Sequence, residues 1–258
     1  MRRSVFAFII FLVAGCEEPP VAQKTISPEP PAQLSPPAHT VSADTVAALP
    51  AAAEYSPLEL QLLDSGLVDV QKLDSSVAVD LRYSTENNFM HMDLYGDFTH
   101  AFLQPDVAQK LLKAQQALKA RYPYYSLIIY DAVRPMHIQR MMWDTLPMSP
   151  MERQKYLSNP SRGGSLHNYG AAVDVSIIDS NGIPLDMGTA YDFFGEKAHP
   201  AKEAELLEAG ELSEWQVANR KILRSVMYKG GFFGIQTEWW HFNSCTRDVA
   251  MEQYGVVE

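Results

Sequence analysis

The sequence predicts an α+β fold: a single catalytic domain whose mostly antiparallel sheet is flanked by helices. Segments with period-two alternation and segments with helical period are mixed along the chain without strict alternation, and the connections between them are short. A doubly wound fold would need a regular strand–helix repeat. The composition agrees: 258 residues at 47% hydrophobic and 20% charged exclude a wholly disordered chain and leave enough apolar mass for a core.

Three regions divide the chain. Residues 1–16, MRRSVFAFIIFLVAGC, carry Arg2 and Arg3 before an unbroken apolar run of ten residues from Val5 to Ala14. A bilayer span takes roughly 18 or more, so the run reads as the apolar centre of a signal peptide. Small residues and Cys16 stand where it stops. This resembles a bacterial lipoprotein signal, which implies a lipid on Cys16, a membrane anchor and a place in the cell envelope facing the periplasm. Loss of residues 1–15 would take the net charge from −10 to −12. Residues 17–56 hold eight of the 17 prolines, with Ala, Ser and Thr and no sustained hydrophobic period, and read as a disordered extended linker. His39 lies there as a solvated residue. Residues 57–258 form the catalytic domain.

Within that domain DSSVAVDLRY (74–83) alternates as a half-buried strand, with Val77, Val79 and Leu81 on one side. Gln104-Pro105-Asp106 opens a helix whose Val107, Leu111, Ala114 and Leu118 recur at helical spacing until Pro123 stops it. Tyr125–Tyr130 is an apolar strand. Pro135 opens a short helix with Ile138, Met141 and Met142 in its core face. Ala171–Ile178 is a strand with Val173, Val175 and Ile177 on one face and Ala172, Asp174 and Ser176 on the other. Ser213 and Gln216 make a capping box for a helix through Met227, ended by Gly230-Gly231. GFFGIQTEWWHF (231–242) is a final aromatic strand. The Glu203, Glu205, Glu208, Glu211 and Glu214 series reads as a solvated face, and Cys245 as a buried thiol.

Charge and cysteine count narrow the functions. A net charge of −10 argues against nucleic-acid binding. Two cysteines exclude a disulfide scaffold and a four-cysteine zinc module, and a lipidated Cys16 leaves Cys245 without an intrachain partner.

Two motifs carry chemistry: Ser165-Leu166-His167-Asn168-Tyr169-Gly170-Ala171-Ala172-Val173-Asp174 and Glu238-Trp239-Trp240-His241. Two imidazoles and two carboxylates meet the demand of a catalytic zinc: three N/O ligands, an open position for water, and a carboxylate free to take its proton. An unbroken strand would put His167 and Asp174 on opposite faces; Gly170 offers a turn between them. Glu238 and His241 share a face on a helix but not on a regular strand, so a bulge or sharp bend is expected there. Singly, His167 also reads as a hydrogen-bonded loop histidine, Asp174 as an arginine's ion-pair partner, and Trp239-Trp240 as core. The joint occurrence carries the weight. His91, His100, His137 and His199 lack a spaced partner motif.

The pattern S-x-H-x-x-G-x-A-x-D followed by E-x-W-H resembles the zinc D-Ala-D-Ala peptidases, and the EWWH form resembles their D-alanyl-D-alanine dipeptidase branch. Asp80 to Phe89, Tyr130 to Pro135 with its D-x-x-R-P loop, and Met187 to Asp192 agree with it. The resemblance runs from about Leu67 to the end and implies a DD-peptidase/hedgehog-like fold. It implies one Zn2+ per chain held by His167, Asp174 and His241, with Glu238 as general base and then acid. It implies Arg134 as stabiliser of the tetrahedral intermediate, Asp192 with Tyr83 at the substrate's ammonium end, and Ser165 near the substrate. Leu166 departs from the pattern, which has a second serine there. The implied substrate is a small D,D-dipeptide. A D,D- or L,D-carboxypeptidase trimming stem peptides, and a non-catalytic wall-binding lipoprotein, stand as alternatives. Arg134 also reads as a surface arginine paired with Asp131.

Overall fold

The computed structural model describes residues 55–258. The expected signal segment with Cys16, and the expected linker up to residue 54 with His39, lie outside the described residues. Ser56 caps α1 (Pro57–Asp64) through a capping box with Glu59, and the Tyr55 hydroxyl donates to Asp69 at 3.0 Å. In chain order there follow β1 (Val68–Asp69), α2 (Val70–Leu73), β2 (Ala78–Val79), β3 (Phe102–Leu103), α3 (Pro105–Arg121), β4 (Ser126–Asp131), α4 (Met136–Thr145) and α5 (Pro150–Arg153). Then come β5 (Ala172–Ile178), α6 (Glu203–Glu208), α7 (Glu214–Gly230), β6 (Phe233–Gly234), β7 (His241–Asn243) and α8 (Arg247–Gln253).

The main sheet has five strands in the order β2-β4-β5-β7-β6. Three of its four pairings are antiparallel; β2 alone runs parallel to its neighbour β4. β1 and β3 form a separate two-stranded ribbon. The α+β class and mostly antiparallel sheet expected from the sequence are what the chain forms. β5 is the central strand, and its residues 172–177 are all buried on both faces. α3 buries the four apolar residues read from its period and lies against β4 and α7. At Gly230 the approach is so close that a Cβ would stand 2.6 Å from the Lys110 carbonyl oxygen. Gln115, buried on α3, accepts from the Leu127 N–H at 2.9 Å and donates to Ser76, tying the helix to the sheet's start.

Several elements differ from their expected form. The strand at 74–83 keeps only Ala78–Val79, because Leu81 enters a 3-10 turn at Arg82–Ser84. The final strand is instead a hairpin: β6 and β7 pair antiparallel across the loop 235–240. α7 runs on to Gly230, and Gly231 takes the left-handed cap. Met141 is exposed; the helix turns Met136, Ile138, Gln139, Met142 and Trp143 inward instead. Glu203 is buried rather than solvated; Arg224 grips both its oxygens at 2.7 and 2.6 Å, while the other four glutamates of the series are exposed. Cys245 is a free, half-buried thiol.

Glu59 is the polar anchor of the N-terminal edge. Its buried carboxylate accepts from the N–H groups of Ser56, Thr99 and His100 and from the His100 ring, at 2.7 to 2.9 Å. Burial pushes its pKa up, but these donors outweigh burial and leave it below the usual carboxylate value. Its contribution to stability is therefore complete above the unfolded-state pKa near ~4.3 and fades as pH falls through the lower folded value. Glu59→Gln should cost about 1–3 kcal/mol at neutral pH in urea unfolding, and the gap to the wild type should close on acidification. An equal gap at pH 7 and pH 3 would contradict this role.

Candidate active site

Three neighbouring strands set their ionisable residues side by side. In the register of the sheet Asp131 of β4 faces Asp174 of β5, and Asp174 faces His241 of β7. His167 comes from outside the sheet. It sits on a 3-10 turn, Leu166–Tyr169, whose first residues are held by a capping box between Ser165 and Asn168. The Ser165 hydroxyl accepts from the His167 N–H at 3.3 Å. Gly170 ends the turn at φ +64, a left-handed conformation, where a Cβ would also crowd Leu67 at 3.1 Å. The turn read from Gly170 is thus what swings His167 back over the start of β5. Asn168 is fully buried and locks the turn onto the Arg134 loop by donating to the Arg134 carbonyl at 2.7 Å.

The His167, Asp174 and His241 ligand atoms lie within 4.8 Å of one another. His241 Nδ1 is 2.9 Å from Asp174 Oδ1 and 3.2 Å from His167 Nε2, and that Nε2 is 3.3 Å from the same oxygen. A tetrahedral metal with ~2.0–2.1 Å bonds has ligand–ligand edges of about 3.3 Å. The outer ring nitrogens are already committed. His167 Nδ1 donates to the Ala132 carbonyl at 2.7 Å, and His241 Nε2 to the Asn243 side chain at 2.9 Å. Two imidazole lone pairs and a carboxylate oxygen therefore converge, and the donor set fits a zinc-like cation. Burial lowers the His241 pKa, but the hydrogen bond and charge of Asp174 outweigh it and push it up to about 9. A metal bound at His241 must displace the proton that this raised pKa favours.

Asp174 is held far below the carboxylate range: burial raises its pKa, and the two imidazoles more than reverse this. Its other oxygen accepts from the Tyr191 hydroxyl at 2.9 Å. Glu238 stands outside the triad, half-buried on the hairpin loop and on the wall of the same cavity of about 240 Å³. Burial raises its pKa. The expected bend between Glu238 and His241 is this loop, and it is pinned by core packing. Trp239 and Trp240 are both buried, Trp239 donates to Thr189 at 2.8 Å, and Trp240 packs edge-on against Tyr191.

Arg134 is buried on the cavity wall, not at the surface. It does pair with Asp131, through Nε at 3.1 Å and a second nitrogen at 2.5 Å, and donates to Gln139 at 2.9 Å. Its guanidinium lies 4.9 Å from the Tyr83 ring centroid. Tyr83 donates to both oxygens of Asp192, at 3.3 and 3.1 Å. Asp192 adopts φ +59, a strained conformation for a residue with a Cβ. Burial and the nearby Asp174 charge push its carboxyl well above the usual range. The site residues named from the sequence that fall among the described residues, Ser165 included, all line this one cavity. Over one side of the cavity Phe194 packs edge-on against both Phe89 and Tyr156, at 4.9 and 4.8 Å.

Sequence reasoning gave no role to Tyr191 or Asn243, and named Asp131 only as a surface partner for Arg134. Tyr191 lay inside a quoted motif without a task, and Asn243, two residues beyond His241, could have been found as the partner its outer nitrogen needs.

The family profile described as D-ala-D-ala dipeptidase matches residues 64–256. The chain belongs to this family. As a member of the D-ala-D-ala dipeptidase family it is a peptidase. It is 31% identical over 176 residues to a D-alanyl-D-alanine dipeptidase of Escherichia coli (strain K12), covering 68% of this chain and 83% of the relative. A D-alanyl-D-alanine dipeptidase of Enterococcus faecium is 27% identical over 194 residues, covering 70% of this chain and 92% of its own. A solved LD-carboxypeptidase aligns over 58% of this chain and 63% of its own at 19% identity with a TM-score of 0.36, too distant to bear on the site.

Because Asn243 fixes the ring nitrogen that His241 turns inward, Asn243→Ala should weaken metal binding about 10- to 100-fold while the fold persists. Competition with a chromogenic chelator measures this. Unchanged affinity would show that Asn243 does not set the His241 tautomer.

Proposed function

We propose that the chain hydrolyses the D-Ala-D-Ala dipeptide with one zinc ion, as a lipoprotein anchored through Cys16 to the bacterial cell envelope and facing the periplasm. One observation carries the reading. A cluster of two lone-pair nitrogens and a carboxylate shares a small cavity with one separate acid, Glu238, and with a second acid, Asp192. His167, Asp174 and His241 are the ligands in this reading. The bound ion supplies Lewis acidity, lowering the pKa of water towards ~7. Glu238 takes the proton of the attacking water on its carboxylate and returns it to the leaving amine nitrogen. Burial, which raises its pKa, suits a group that must hold the proton between the two steps. Arg134, fixed by Asp131 and Gln139, stabilises the charge that develops on the amide oxygen; such a preorganised donor contributes roughly 3–4 kcal/mol.

Asp192 and Tyr83 receive the ammonium group. A carboxyl raised by burial ionises when a cation arrives beside it, so a free dipeptide is favoured over a chain that continues past that nitrogen. Ser165, whose hydroxyl lines the cavity, contacts the substrate. The carboxypeptidase alternative would need the Asp192 end to accept a neutral amide instead.

Two experiments test this. Purified protein should cleave D-Ala-D-Ala and reject its N-acetyl form, while Glu238→Ala keeps its zinc and loses turnover by several orders of magnitude. Equal cleavage of both compounds replaces the dipeptidase reading with the carboxypeptidase one, and full activity in the Glu238 variant removes the base. For the anchor, Cys16→Ser should abolish the N-terminal lipid and move the protein out of the membrane fraction. Mass spectrometry of a mature wild-type N-terminus that begins elsewhere and bears no lipid would refute it.

A further inference from the structure

The cavity holds a positive charge that the proposed mechanism does not use. Arg247, in the first turn of α8, lines the cavity together with Ser165 and Asn243. Its guanidinium is gripped by backbone: one terminal nitrogen donates to the Gly164 carbonyl at 2.7 Å and the other to the Arg162 carbonyl. Those two acceptors fix its position but carry no net charge. Among the described residues no carboxylate makes an ion pair with it, whereas Arg134 is ion-paired with Asp131. A guanidinium has five N–H donors, so donors remain for a ligand.

The cavity extends into two grooves. Asp192 and Phe89 also border a groove formed by residues 86–91 and 190–193. Arg247 and Leu157 also border a second groove, formed by residues 154–164. The two grooves share no lining residue, so the acid and the arginine border different extensions of one cavity, whose wall also carries the His–Asp–His cluster. A zwitterion whose scissile amide sits at the cluster would bring its ammonium to Asp192 and its carboxylate to Arg247.

We propose that Arg247, held between the carbonyls of Arg162 and Gly164 beside a groove that Asp192 does not border, binds the C-terminal carboxylate of the substrate and makes the enzyme select peptides with a free C-terminus. The assignment rests on the dipeptidase reading and deepens it. It gives Arg247 a specificity role, distinct from the charge stabilisation given to Arg134.

The test compares D-Ala-D-Ala with D-alanyl-D-alaninamide, which lacks the carboxylate charge, in the wild type, Arg247→Lys and Arg247→Gln. The wild type should prefer the acid roughly 10- to 100-fold in kcat/KM, the worth of a hydrogen-bonded charge pair. Arg247→Gln should lose most of that preference by raising KM for the acid while cleavage of the amide stays near the wild-type rate. Arg247→Lys should retain part of it. A purely structural clamp would depress both substrates alike and leave the ratio intact, which overturns the assignment. If Arg247→Gln does not fold, the lysine variant and the wild-type ratio decide: a wild type indifferent to acid or amide also overturns it. A wild type that cleaves neither compound defeats the dipeptidase reading itself, a different failure.

Discussion

Two carboxylates, Asp131 and Asp174, stand opposite each other on adjacent buried strands, and the rest of the site is arranged around their repulsion. Both are buried, so each needs positive charge or several donors close by. Asp131 receives the Arg134 fork, the Tyr95 hydroxyl at 2.6 Å and the Ala132 N–H. Asp174 receives Tyr191 and the two imidazoles. The partition leaves Arg134 fully committed in position but still cationic towards the cavity, and leaves the inner nitrogens of the two imidazoles to Asp174. A deletion of Arg134 would strand Asp131 beside Asp174 and disturb the cluster without touching it.

The same constraint explains the tyrosines. Tyr83, Tyr95 and Tyr191 each donate a hydroxyl to a carboxylate, and burial with those negative neighbours raises all three pKa values, so they remain donors throughout the working range. Their rings pack on one another, with Tyr83 edge-on to both Tyr95 and Tyr191. Apolar mass and polar function come from the same side chains, which is how a small cavity stays walled yet keeps its acids satisfied.

Much of this was legible in the chain. The helical period of Val107, Leu111, Ala114 and Leu118, the Ser213 capping box and the β5 alternation report local physics, and the structure keeps them. The approach of His167 to Asp174 was legible because Gly170 allows the turn between them, whereas His241 entered the ligand set through the family resemblance and arrives by strand pairing. What failed was longer in range. The run at 231–242 is uniformly strand-like, and nothing local says that β6 and β7 will fold on each other, since that depends on both finding partners in the sheet. Glu203 looked solvated because its arginine partners, Arg220 and Arg224, lie a helix away. The charge of Arg247 was silent because its holders are backbone carbonyls, which no side-chain motif records.

The hairpin loop has two halves with unequal freedom. Glu238 to His241 is nailed down by the buried indoles and by pairing in the sheet, whereas Gln236 and Thr237 are exposed and Ile235 only edges the cavity. Insertions or exchanges confined to 235–237 would remodel the rim without shifting the acid or the imidazole behind it. The rim is thereby separable from the reacting centre: residues 235–237 can change in size and charge while the acid and the imidazole stay where the indoles and the sheet hold them.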